Sequence, residues 1–146
     1  MPGRLLALDV GTRTVGLAAC DPERRLAWPL RTLARQGVKR DVAALSEVAR
    51  AEGAVGLVVG LPLDERGAET RSTRLARGLG EALAEATGLP LAWMDERFST
   101  VEAARRLRDR GLSEREARGR IDAAAAAVIL EDFLVSPAAT GFAPSA

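Results

Sequence analysis

The sequence predicts an α/β protein built on a mixed central sheet, with antiparallel strands first, parallel strands after them, and helices on both faces. Three observations carry this. Apolar runs on either side of Gly11-Thr12-Arg13-Thr14, and a third from Leu26 to Leu33, are joined by links too short for anything but antiparallel neighbours. Val55 to Pro62 reads VGLVVGLP, the near-continuous apolar pattern of a strand covered on both faces. The stretches between the later strands carry helical rather than alternating periodicity.

Each element follows in order. Arg4 to Cys20 forms the opening hairpin, and Asp21-Pro22-Glu23-Arg24-Arg25 is the turn into the third strand. After a polar link containing Gly37, Asp41 opens a helix with Val42, Leu45, Val48 and Ala49 on one face and Gly53 as its stop. The central strand Val55 to Pro62 leads into a charged loop, Leu63 to Glu69, expected to act as a mobile flap. Thr70 to Thr87 is helical, with Leu75, Leu79, Ala82 and Leu83 inward and Gly88 as C-cap. Leu89 to Met94 is the last strand, running into Asp95-Glu96-Arg97. Ser99 with Glu102, and Ser113 with Glu116, are capping signatures for two further helices, one ending near Arg110 and one an Ala-rich apolar helix from Ile121 to Leu134. The order is β-β-β-α-β-α-β-α-α. Residues 1–135 form one domain, and 136–146, rich in Ser, Pro, Gly and Ala, read as a flexible C-terminal tail.

Composition removes much chemistry. The 146 residues suffice for one domain with a real core, and a net charge of +1 does not describe a basic nucleic-acid coat. Of 21 cationic residues only Lys39 is lysine, a bias that genome composition explains as readily as phosphate recognition. The chain has no His and no Tyr, so Ser-His and Cys-His pairs, His-ligated zinc and tyrosine nucleophiles are excluded. The single Cys20 reads as a small core residue, in keeping with a reducing cytoplasm. No apolar run approaches a membrane span, and Asp9 interrupts the first ten residues too early for a signal peptide. Carboxylates, hydroxyls, Arg and one Lys remain.

Asp9 closes the first apolar run, Asp95 and Glu96 follow the last strand, and Asp122 begins the final helix ahead of Ala123 to Ala127. In open α/β sheets the C-terminal strand ends form the ligand crevice, and small Ala side chains let the last helix lie close. Glu96 is preferred to Asp95 as the inward acid because its longer stem reaches further. Singly, each acid has an ordinary role. Asp9 suits a turn partner such as Arg13 or a backbone N–H, Glu96 a pair with Arg97, and Asp122 the first turn of a helix. Jointly, Asp9, Glu96 and Asp122 form a candidate site for Mg²⁺ or Mn²⁺, hard cations that need no His or Cys. Two such ions about 4 Å apart activate water against a phosphodiester.

The chain resembles the YqgF-type (RuvX) family, whose members are named as Holliday-junction resolvases and pre-16S rRNA nucleases. The resemblance rests on LALDVGTRTVGLA (6–18), VVGLPLDERG (58–67), MDERFSTVEA (94–103) and IDAAAAAVIL (121–130), in one order over residues 4 to 134. It implies an RNase H-like fold, with the family's acids falling on Asp9, Glu96 and Asp122. It also implies two departures from the related RuvC resolvases. The central strand here has no acid before Asp64, and Ala125 stands where a second acid is usual one turn along the last helix.

Substrate contacts are expected around the acids. From Arg97 to Arg120 there are eight Arg against four acids, and Arg97, Arg105 and Arg118 are candidate phosphate contacts. The same run also suits a solvated face with pairs such as Glu102–Arg106. Thr12 and Arg13 in the first turn, and Arg71 and Arg74 after the loop, complete the nucleic-acid set. With aromatics at 3%, backbone and shape recognition suits the chain better than base stacking. The reading is a metal-dependent nuclease on structured nucleic acid, in 5′-end processing of pre-16S rRNA, acting as a monomer or homodimer. The alternatives are a branched-DNA resolvase and a non-catalytic RNA-binding assembly factor. Asp9-Val10-Gly11-Thr12 also resembles the phosphate motif of actin-like kinases, but 146 residues leave no room for their second domain.

Overall fold

The structure, a computed structural model, describes residues 2–96 and 114–144, with side chains in the last helix described from Asp122 onward. Its strands are β1 (Leu5–Val10), β2 (Thr14–Cys20), β3 (Ala27–Ala34), β4 (Gly56–Leu61) and β5 (Leu91–Asp95). Its helices are α1 (Val38–Glu52), α2 (Arg71–Thr87) and α3 (Glu114–Leu134), followed by a 3-10 turn at Pro137–Ala139. The strands form one sheet in the order β3-β2-β1-β4-β5. β1 pairs antiparallel with β2 and parallel with β4; β2 pairs antiparallel with β3, and β4 parallel with β5. This is the predicted mixed sheet.

Alternation along each strand sorts the side chains between two cores. Leu6, Leu8, Val10, Val15, Leu17, Leu57 and Val59 pack with α1 and α2 on one face. Leu5, Ala7, Ala18, Cys20 and Val58 pack with Ala126, Ile129, Leu130 and Phe133 of α3 on the other. β1 and β4 are buried along their whole length, as strands covered on both sides must be. β3 is an edge strand, and its Pro29 sits at a β-bulge opposite Leu17 and Ala18, where a missing N–H costs little.

Several elements differ from the sequence expectation in instructive ways. α1 begins at Val38 rather than Asp41, after Gly37 with φ 103°. Asp41 lies inside the first turn, and its carboxylate is taken by Arg35 and by the backbone N–H of Gln36. α2 is capped by Thr70 as expected, but its buried face is Thr73, Ala76, Leu79, Gly80 and Leu83, with Leu75 and Ala82 only half-buried. The loop after β4 is closed on itself: Asp64 accepts hydrogen bonds from the N–H groups of Arg66 and Ala68. Residues 136–144, expected as a loose tail, pack back on the domain. The Arg24 guanidinium donates to the carbonyls of Phe142 and Ala143, Phe142 meets Phe133 edge to face at 5.4 Å, and Ala143 is buried. The capping signatures at Ser99 with Glu102 and at Ser113, the helix expected to end near Arg110 and the Glu102–Arg106 pair lie outside the described residues.

Candidate active site

β1, β4 and β5 run parallel, so their C-terminal ends share one edge of the sheet, and the acids gather there. Asp9 is the second-last residue of β1. Its side chain follows Leu5 and Ala7 onto the α3 face, and its cross-strand partner on β2 is Gly16. That glycine is essential to the geometry. A Cβ built on Gly16 would stand 1.9 Å from the carbonyl oxygen of Asp122. The absent side chain lets the α3 backbone rest on β2 directly beside Asp9. Ala123, Ala125 and Ala126 are correspondingly buried.

Gly60 plays the equivalent part on β4. It lies one step beyond the Leu8–Val59 pair, and a Cβ there would stand 2.9 Å from the Glu96 carboxyl carbon. The Glu96 N–H donates to the Leu61 carbonyl at 3.1 Å, which turns the chain inward at the end of β5 and lays the side chain over Gly60. Glu96 is thus 7% exposed and Asp9 9%, whereas the neighbouring Asp95 is exposed.

The partner Asp9 finds is another carboxyl, Glu96. Burial raises the Asp9 carboxyl to about 6; the hydrogen bond with Glu96 opposes the rise and the charge of Asp122 adds to it. Burial also raises Glu96, to about 10, reinforced by the negative charge of Asp9, its hydrogen bond to Asp9, and the charges of Asp95 and Asp122. Burial and mutual charge thus favour protonation of the pair over two separate buried carboxylates. Asp122, half-buried, accepts a hydrogen bond from the Thr14 hydroxyl at the start of β2.

Three carboxyls that feel one another's charge at one edge are an oxygen-only donor set, suited to a hard dication. They stand as two buried acids that perturb each other and a hydroxyl-held acid: no group of three or more acids or thiols is drawn to metal-holding spacing among the described residues. Cys20, buried on β2, accepts from the Leu5 N–H at 3.3 Å, and burial pushes its thiol up, as for an inert core residue.

Thr12 and Arg13 are exposed on the turn beside Asp9. Arg71 and Arg74 are exposed in the first turn of α2, which leaves the sheet from the end of β4. Arg97 and Arg105, and the side chain of Arg118, lie outside the described residues. Sequence reasoning missed Thr14, Gly16 and Gly60. Glycine inside a strand is itself a signal of close approach by backbone or ligand, and both glycines carried it.

The chain matches the family described as "RuvX: Holliday junction resolvase" over residues 3–136. A protein of Anaeromyxobacter dehalogenans (strain 2CP-C), named "Putative pre-16S rRNA nuclease", is 47% identical over 131 residues, 90% of this chain and 96% of that protein. One of the same name from Kineococcus radiotolerans is 44% identical over 145 residues, 98% of this chain and 77% of that protein. Among solved structures, T. thermophilus RuvC in complex with a Holliday junction substrate superposes with a TM-score of 0.58 at 20% identity, covering 97% of this chain and 98% of that one. At that identity the likeness speaks for the fold, which is RNase H-like as the sequence resemblance implied. With a family match over residues 3–136 and relatives 44% and 47% identical, the chain belongs to the RuvX family.

Proposed function

We propose that the protein is a metal-dependent nuclease that hydrolyses phosphodiester bonds of structured RNA, in the 5′-end processing of pre-16S rRNA. The observation that carries this is the convergence of Asp9, Glu96 and Asp122 at one strand edge, in a chain without His or Tyr. The names of the relatives supply the substrate.

Asp9, Glu96 and Asp122 would hold Mg²⁺ or Mn²⁺. When bound, such a cation eases deprotonation of water and offsets charge gathering on the phosphate. The chain's own contribution is to present the oxygens. Burial favours protonation of Asp9 and Glu96, and both carboxyls must be ionised to act as ligands, so binding should release protons. Thr14 orients Asp122 through one of its oxygens. Arg13 and Thr12, exposed on the turn next to Asp9, would meet the phosphate beside the scissile one, and Arg71 and Arg74, exposed at the start of α2, would meet the backbone further along. Arg97, Arg105 and Arg118 extend the same role by charge.

A second reading, cleavage of branched DNA, is favoured by the family's description and by the shared fold with RuvC. Both are tested by incubating precursor rRNA and a four-way DNA junction side by side with wild type and Asp9→Asn, in Mg²⁺, in Mn²⁺ and in EDTA. Metal-dependent cutting of the RNA that disappears in Asp9→Asn supports the first reading; cutting of the junction alone supports the second. Cleavage undiminished by EDTA or by Asp9→Asn would overturn both. A non-catalytic role in ribosome assembly would show as full complementation of a deletion strain by Asp9→Asn.

A further inference from the structure

We propose that Arg35 is a positioning residue for the catalytic edge: braced by Asp41, it holds the β1–β2 turn in the shape that orients Asp9 and, through Thr14, Asp122. The inference rests on the nuclease reading above.

Arg35 is the first residue after β3 and reaches across to the turn in two ways. Its backbone N–H donates to the Arg13 carbonyl at 2.8 Å, and its Nη1 donates to the Gly11 carbonyl at 3.0 Å. The other arm of the guanidinium, Nε, donates to Asp41 Oδ2 at 2.6 Å, while Asp41 Oδ1 accepts from the Gln36 N–H at 2.8 Å. Both side chains are withdrawn from water, 12% and 6% exposed. From the turn the chain of contacts continues inward. The Gly11 N–H donates to the Thr14 carbonyl at 2.8 Å, and the Thr14 hydroxyl donates to Asp122. Gly11 stands two residues after Asp9. Arg35 thus restrains the short segment between one acid and the hydroxyl that holds another.

The energetics favour positioning over simple stabilisation. A buried ion pair gives up hydration on both partners, and its net contribution is often no better than well-packed apolar side chains in the same space. The pair does bring direction. A planar guanidinium locked by a carboxylate on one side presents its remaining N–H groups at a set angle, which lysine cannot reproduce. Water could satisfy the Gly11 carbonyl at a half-exposed turn, but it would not restrain it.

The test compares wild type with Arg35→Lys, Asp41→Asn and the double variant R35M/D41L, which removes both charges together. Amide hydrogen exchange on metal-free protein is read over residues 11–14 and over α1, alongside melting temperature, kcat and KM on precursor rRNA. The expected result is exchange at residues 11–14 faster by about tenfold, the scale of one lost hydrogen bond. Protection in α1 should be retained. kcat should fall about 10–100-fold, as for groups that orient catalytic ligands, with KM within about twofold and partial recovery in Arg35→Lys. Unchanged exchange at 11–14 in a folded variant, or a lower melting temperature with unchanged kcat, would overturn the inference. Should the double variant not fold, the two single variants supply the same readouts. If wild type cuts no nucleic acid, the nuclease reading fails, while the exchange data still decide whether Arg35 holds the turn.

Discussion

At the scale of single residues, the site is defined by charge that the fold keeps from water. Asp9 and Glu96 both have carboxyl pKa values raised above their unfolded values, so folding favours their protonated forms. The stability linked to them is complete at low pH and declines as pH rises through about 6 for Asp9 and about 10 for Glu96. Metal-free protein should accordingly melt at lower temperature at pH 8 than at pH 5, and Glu96→Gln should flatten that slope. Calorimetry in EDTA checks this, and a melting temperature that climbs with pH would refute it. Mg²⁺ or Mn²⁺ should restore stability at the alkaline end by compensating the buried negative charge. For the same reason Asp9→Asn should raise metal-free stability at pH 8 by about 1–3 kcal/mol while abolishing cleavage. Activity lost together with stability would instead point to a structural role for Asp9. Side-chain length argues for Glu96 over Asp95 as the inward acid; the structure buries Glu96, its N–H tied to Leu61 and its side chain over Gly60, and leaves Asp95 exposed.

Between elements, the decisive contact is α3 on β2. An Ala-rich helix can approach a sheet closely only where the sheet is equally bare, and Gly16 supplies that opening opposite Asp9. Gly16→Ala would drive a methyl group into the Asp122 carbonyl, so α3 must shift as a body. The expected cost is about 1–3 kcal/mol, as for overpacking. Cleavage should fall to near background, measurable by urea denaturation and an rRNA cleavage assay on the folded fraction. Gly60→Ala should act on side-chain ends rather than backbone, pressing on Ile129 Cδ1 and the Glu96 carboxyl and weakening Mn²⁺ binding in titration calorimetry with little change in far-ultraviolet circular dichroism. Further along α3, Phe133 is fully buried against Phe142, and Phe133→Ala should cost about 3–5 kcal/mol without altering the acids.

Over the whole molecule, a mixed sheet separates two jobs. The α1 and α2 face carries the larger aliphatic core, while the α3 face carries a thinner, small-residue core ending in the acids. The C-terminal segment closes the opposite end of that thinner core. Arg24, held at φ 59° in the β2–β3 turn, grips Gly3, Phe142 and Ala143 through backbone carbonyls. Arg24→Ala should expose residues 136–144 to limited proteolysis and lower the melting temperature by a few degrees, leaving cleavage intact because the acids lie at the far strand ends. No described helix is long and apolar enough to cross a membrane.

Much of this was legible from the chain itself. Alternation and short links dictate β1 to β3, the VGLVVGLP run dictates β4, and Gly53 and Gly88 stop α1 and α2, because local backbone preference and burial pattern are written residue by residue. The absence of His and Tyr removes several classes of catalytic machinery and raises the standing of the carboxylates. Tertiary structure alone decided that the partner of Asp9 is a second carboxyl, which groups approach Gly16 and Gly60, that Thr14 holds Asp122, and that Arg35 and Asp41 meet at the turn. It also folded residues 136–144 onto the domain through Arg24, a contact across more than a hundred residues. These features depend on which side chains meet across the sheet, and no local pattern in the sequence encodes such distances.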